Sequence, residues 1–101
     1  TWNHVGLTEW AMPSLRWAGR DAGVVPIKPI TASEDFSFYQ EQVPGIFFFL
    51  GINGEGKTIE QTPPNHSPFF ILNEAAMENG VRALAGLTAD FLAAPPTLSA
   101  K

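Results

Sequence analysis

The stretch from Ile46 to Ile52, which reads Ile-Phe-Phe-Phe-Leu-Gly-Ile, is an uninterrupted apolar run. A run of this length between turn residues is typical of a strand that is covered on both faces, as in an α/β sheet. Such a strand needs neighbouring strands to complete its hydrogen bonding. The other strand-like segment, Val24–Ile27, is weak because Pro26 and Pro29 remove backbone donors. The sequence therefore predicts a buried strand whose sheet partners lie outside this chain.

Three segments around this run have helical patterns. Apolar residues recur at i, i+3 and i+4 between positions 7 and 22, which predicts a helix that ends at Gly23. Pro13 should either kink this helix or move its start to a later residue. An acidic first turn predicts a short helix over residues 34–42. A long helix is predicted from about Asn73 to Ala93, with an apolar face formed by Met77, Val81, Leu84, Thr88, Phe91 and Leu92. The predicted order is helix, short helix, buried strand and long helix, which is an α/β fold that is incomplete on its own.

Charge and composition exclude several classes of protein. The chain has 6 Lys and Arg against 10 Asp and Glu, a formal net charge of -4. We expect no nucleic-acid partner, because phosphate binding needs a basic stripe. We also expect no membrane partner, because no apolar run approaches the roughly 18 residues of a membrane span. The absence of Cys removes disulfides and thiolate chemistry. We expect a cytoplasmic location, with the periplasm as the open alternative.

His66 is the strongest candidate for chemistry, because it lies in a Pro-rich loop directly before the long helix. A loop imidazole is often only solvated, but it can also bind a metal ion. A hydrolytic metal site needs three or more ligands and usually a general base. With 2 His in the chain, the residues indicate one part of a metal site. The other histidine, His4, is interpreted as a surface residue.

A phosphate-binding motif is also present as a bare pattern. Gly51, Gly56, Lys57 and Thr58 satisfy G-x-x-x-x-G-K-T. In nucleotide-binding proteins this motif opens a helix, whose first amides and dipole hold the phosphates. Pro63 and Pro64 follow too closely for a helix of useful length. We therefore reject nucleotide binding.

Several motifs in a fixed order resemble one enzyme family. They are Ser33-Glu34-Asp35-Phe36-Ser37-Phe38-Tyr39, Val43-Pro44-Gly45, Phe47-Phe48-Phe49-Leu50-Gly51, Asn65-His66-Ser67-Pro68 and Asn73-Glu74. This series resembles the carboxy-terminal end of M20-type metallopeptidases, and in particular the amidohydrolase branch. That branch includes hippurate hydrolases, N-acyl-amino-acid amidohydrolases and plant auxin-conjugate hydrolases. The resemblance extends from about Asn3 to Leu92.

The resemblance implies a site that this chain would share with other parts of a larger enzyme. Residues 1–94 would be the carboxy-terminal segment of a zinc-peptidase-like catalytic domain, and residues 95–101 a tail. His66 would bind one of two divalent metal ions, Zn or Mn. Glu34 and Asp35 would lie near the site, although acidic residues in a first helical turn also stabilise a helix by about 0.3–1 kcal/mol without any catalytic role. The remaining ligands and the general base would lie in the family's amino-terminal half.

The same resemblance implies the partners and the function. The partners would be the remainder of the parent enzyme, a small N-acyl amino acid or peptide substrate, and further copies in a homo-oligomer. The parent would hydrolyse an amide bond, and the isolated chain would be inactive. The alternative is a non-catalytic fragment or small assembly module that acts through its apolar strand and helix.

Overall fold

The computed structural model describes residues 1–54 and 56–99. Three α-helices follow one another: α1 at Val5–Gly19, α2 at Phe36–Gln42 and α3 at Met77–Ala93. Three short 3₁₀ helices occur at Arg20–Ala22, Ile59–Gln61 and Glu74–Ala76. Of the predicted tail, Ala100 and Lys101 lie outside the described residues.

The helix predictions agree with the structure to within a few residues. α1 runs through Pro13 and ends at Gly19, and the following 3₁₀ turn reaches Ala22. Gly23 then has a φ of 70°, which is the left-handed conformation that glycine adopts most readily. At the other end of α1, His4 caps the helix, because its Nδ1 accepts a hydrogen bond from the Leu7 N–H at 3.2 Å.

The predicted α/β fold class is wrong, since the part of the chain that the structure describes is helical and contains no strand. The segment Ile46–Ile52 is irregular, and it is not buried, because Phe49 is 58% exposed. Apolar composition favours burial, but a strand forms only where a second backbone pairs with it. Here a side chain takes that place: the Asn3 carboxamide bonds to both backbone groups of Phe47.

The main packing contact is between α1 and α3. The rings of Trp10 and Phe91 meet edge to face, with centroids 5.9 Å apart and an interplanar angle of 87°. The Arg82 Nε donates to the Ala18 carbonyl at 3.3 Å, which fixes the other end of the interface. The apolar residues buried in the chain are small apart from one leucine; they are Leu7, Ala11, Ala18, Ala76 and Ala83. Small side chains let the two helix backbones approach closely.

Most of the apolar face predicted on α3 is exposed, and Phe91 is the residue of that face that contacts α1. Val81 is 67% exposed and Leu92 is 78% exposed. The helix also contacts α1 through its opposite side, which carries Ala83 and Gly86. None of the helices in residues 1–54 and 56–99 has the length and apolar character that crossing a membrane requires.

Candidate functional site

His66 lies on an exposed loop that is shaped by two consecutive turns. The first turn closes where the Ser67 N–H donates to the Pro64 carbonyl at 2.9 Å. The second closes where the Phe70 N–H donates to the Ser67 carbonyl at 3.0 Å. The Ser67 hydroxyl also accepts from the Phe69 N–H at 3.1 Å. Local hydrogen bonds therefore define the backbone on both sides of His66, while His66 itself is exposed to solvent.

Asn73 anchors the base of this loop. Its backbone N–H donates to the Ile52 carbonyl at 3.3 Å, and its Nδ2 donates to the Asn53 carbonyl at 3.0 Å. Its Oδ1 accepts from the Ala75 N–H at 3.2 Å and so caps the 3₁₀ helix that leads into α3. Sequence reasoning missed this anchoring role. The signal in the sequence for this role was that an Asn stands at the predicted start of a helix.

The carboxylate of Glu34 has a structural role in the observed contacts. Its Oε1 accepts a hydrogen bond from the Phe36 N–H at 3.2 Å, at the start of α2. The backbone carbonyl of Glu34 accepts from the Ser37 hydroxyl at 2.8 Å. Asp35 occupies the N-cap position of α2 without a side-chain capping bond. Both residues are exposed, and the contact of the Glu34 carboxylate with the Phe36 N–H explains Glu34 by helix initiation.

The structure does not assemble the predicted residues into a metal site. Across residues 1–54 and 56–99, no three or more His, Asp and Glu side chains come together in an arrangement that could hold a metal ion. His4 is engaged elsewhere, since its Nδ1 caps α1 and its Nε2 donates to the Ser99 carbonyl at 3.2 Å. An exposed imidazole fits the role of a single ligand, but the described residues do not hold a divalent cation by themselves.

A cleft of about 220 Å³ lies beside the His66 loop. One wall comes from the residues that lead into the loop, and the other from the residues that lead out of it. Its lining residues are Gly54, Lys57, Thr62, Pro63, Ile71, Leu72 and Asn73. The alkyl chain of Lys57 passes close to Gly54, where an added Cβ would lie 3.5 Å from the Lys57 Cδ.

The phosphate-loop pattern lacks the helix that it needs. A three-residue 3₁₀ helix, Ile59–Gln61, follows Thr58, and Glu55 lies outside the described residues. The Thr58 N–H donates to the Gln61 Oε1 at 3.0 Å. A hydrogen bond from the Thr58 side chain, together with one from the backbone of Glu60, lowers the pKa of Glu60 below its usual value. These groups of Thr58 are thus occupied by local contacts, which supports the rejection of nucleotide binding.

Comparison with known proteins identifies relatives that are named as hydrolases or carboxypeptidases. The chain is 41% identical over 64 residues to the IAA-amino acid hydrolase ILR1-like 5 of Arabidopsis thaliana, and this aligned region covers 63% of this chain and 14% of that protein. It is 38% identical over 68 residues to thermostable carboxypeptidase 2 of Saccharolobus solfataricus, and here the aligned region covers 67% of this chain and 17% of that protein. The chain thus spans less than one fifth of the length of either relative. No solved structure matches it.

A family-level match confirms the resemblance that the ordered motifs predicted. The model of peptidase family M20/M25/M40 matches residues 1–90, a range that includes the Glu34-Asp35 segment, the His66 loop and most of α3. The chain therefore belongs to peptidase family M20/M25/M40.

Proposed function

We propose that this chain is a segment of a metal-dependent amidohydrolase or peptidase, in which His66 supplies one metal ligand. The observation that carries the proposal is the position of His66, which is exposed on a loop held by turns at Ser67 and by the Asn73 anchor. The loop lies within the range that matches the family model. Relatives named as an amino acid hydrolase and a carboxypeptidase support an amide-bond substrate, such as an N-acyl amino acid or a short peptide.

The residues of this chain would bind a metal ion, but they would not complete the catalytic site. A neutral ring nitrogen of His66 would bind the metal, with the backbone turns limiting the positions that the ring can reach. Divalent cations, two of Zn or Mn, would polarise the scissile carbonyl when bound. Because the described residues bring no three possible ligands together, the remaining ligands and the general base would come from the remainder of the parent enzyme. We assign no chemistry to Glu34, whose carboxylate accepts a hydrogen bond from the first N–H of α2.

The test is the replacement of His66 in the full-length protein that carries this segment. The His66→Ala variant is expected to lose at least one metal equivalent, measured by mass spectrometry of the metal content, together with most of its amide hydrolysis. Its stability should stay within about 0.5 kcal/mol, because the residue is an exposed loop residue. Asn65→Ala, one residue away on the same loop, is the matched control and should keep both metal and activity. A His66→Ala protein with its full metal content and turnover would refute the assignment.

The alternative of a non-catalytic assembly module has its own support. The apolar face of α3, formed by Met77, Val81, Leu84 and Leu92, is exposed in the described chain. A surface of this kind marks a contact with further polypeptide. Such a contact would also be needed in the parent enzyme, so the metal content of the full-length protein is what separates the two functions.

A further inference from the structure

We infer that the cleft beside the His66 loop is a subsite for a small carboxylate that carries an apolar group, with Lys57 as the residue that binds the carboxylate. This inference rests on the proposed function, because it assigns the acid end of an N-acyl amino acid to this cleft. The two walls of the cleft are Thr62–Pro63 and Ile71–Asn73, and the seven residues between them form the loop that carries His66. A ligand in the cleft would therefore lie at the base of that loop.

Hydrogen bonds anchor several of the residues that line the cleft. Asn73 fixes one wall to the backbone of Ile52 and Asn53 through bonds of 3.3 and 3.0 Å. The Lys57 N–H donates to the Gly54 carbonyl at 3.0 Å, and both residues line the cleft. Gly56 has a φ of 73°, in the left-handed region, so a glycine suits the residue before Lys57.

The Lys57 side chain has a defined course over the backbone. Its Cδ and Cε lie 3.5 and 3.8 Å from the position that a Cβ on Gly54 would occupy. The lysine alkyl chain therefore lies within ordinary van der Waals distance of position 54. The alkyl chain of Lys57 thus packs over Gly54 at the edge of the cleft.

The chemistry of the lining selects the class of ligand. Among the described residues that form the lining, Lys57 is the cation and no acidic side chain occurs. Pro63, Ile71 and Leu72 supply apolar surface beside that charge. A carboxylate bound to the ammonium, with an acyl or side-chain group against the apolar wall, satisfies both parts of the cleft. A nucleotide does not, because a three-residue 3₁₀ helix follows Thr58 in place of the longer helix whose amides bind phosphates.

A titration with hippurate, N-benzoylglycine, tests the subsite without any metal. The ¹⁵N-labelled chain is titrated in EDTA with hippurate, with its uncharged analogue hippuramide, and with inorganic phosphate. Saturable shift changes are expected at the amides of Gly54, Thr62, Leu72 and Asn73, with hippurate bound about two- to fivefold more tightly than hippuramide, the range expected for one exposed charged contact. Lys57→Gln should remove that preference, and the matched control Lys28→Gln, at an exposed position outside the cleft, should keep it.

Other outcomes of the titration would overturn the inference. No shifts at the cleft, an equal affinity for hippuramide, or an unchanged affinity in Lys57→Gln would each exclude the subsite. Phosphate binding as tight as that of hippurate would show a general anion site instead. If the chain self-associates at NMR concentrations, calorimetry on the metal-free full-length protein makes the same comparison of variants. The titration is done in EDTA, so its outcome does not depend on metal binding. Absence of hippurate binding would therefore not contradict the metal assignment of His66, and loss of that assignment would not change the titration result.

Discussion

The Asn3 side chain bonds to both backbone groups of Phe47: its Nδ2 donates to the Phe47 carbonyl at 2.8 Å, and its Oδ1 accepts from the Phe47 N–H at 2.7 Å. Two residues of paired antiparallel strands exchange the same pair of bonds. The His4 N–H adds a bond to the Gly45 carbonyl at 3.0 Å. These contacts attach the apolar segment to the start of α1 without any strand pairing.

Replacing Asn3 with Ala should therefore destabilise the chain. Two hydrogen bonds would be lost, each worth about 0.5–1.5 kcal/mol, and water can reach part of the site, so we expect a loss of about 1–2 kcal/mol in the free energy of unfolding. Urea unfolding followed by circular dichroism measures it. Asn65→Ala, at an exposed turn position, is the control and should change stability by no more than about 0.5 kcal/mol. Equal stability of the two variants would show that the Asn3 contacts contribute nothing.

The close approach of α1 and α3 gives a second prediction. A Cβ at Gly86 would lie 3.4 Å from the Trp17 Cζ3, so a large side chain there would separate the helices. Gly86→Leu should lower the free energy of unfolding by about 1–3 kcal/mol, even though leucine favours a helix more than glycine does. Ala89→Leu, at an exposed position of α3, introduces the same side chain without the clash and should not destabilise. A Gly86→Leu chain as stable as Ala89→Leu would contradict this packing.

The contrast between helices and strand shows what the sequence could predict. Helices form their hydrogen bonds within one segment, so local signals such as Gly23 and Asn73 were enough to place their ends nearly correctly. The segment Ile46–Ile52 has the composition of a buried strand, but pairing depends on a partner that the described chain does not provide. Apolar composition alone does not indicate whether a pairing strand is present, and the α/β prediction was wrong for this reason.

The same distinction applies to the candidate site. The order of motifs predicts His66 as a site residue, because the Asn65-His66-Ser67-Pro68 segment is short and contiguous. The cleft could not be predicted, since it depends on Asn73 bonding back to Asn53 and on Lys57, Ile71 and Leu72 coming together in one lining. Residues that are close in space but distant in the sequence leave no periodic signal.

The isolated chain should have no hydrolase activity. The described residues hold no group of three possible metal ligands, and the loss of a general base alone typically costs about 10²–10⁴ in rate. The measurement is the hydrolysis of hippurate and N-acetyl amino acids by the pure chain with added Zn or Mn, beside the full-length protein as the active control. Metal-stimulated turnover of the chain at a rate near that of the full-length protein would show that the chain holds a complete site.

The exposed face of α3 should make the isolated chain self-associate. Val81 and Leu84 are 67% and 64% exposed, on the side of the helix that faces away from α1. Contiguous apolar surface of this kind is removed from water by association, and a second copy is the partner available in a pure sample. Sedimentation at micromolar concentration should therefore show dimers or larger species.

Val81→Lys should shift them toward monomer, because burying an unpaired ammonium is costly. Ala89→Lys adds the same charge at an exposed position nearer the edge of that face and should have a smaller effect. A folded wild-type monomer that unfolds cooperatively at these concentrations would show that the chain is stable without any partner on α3.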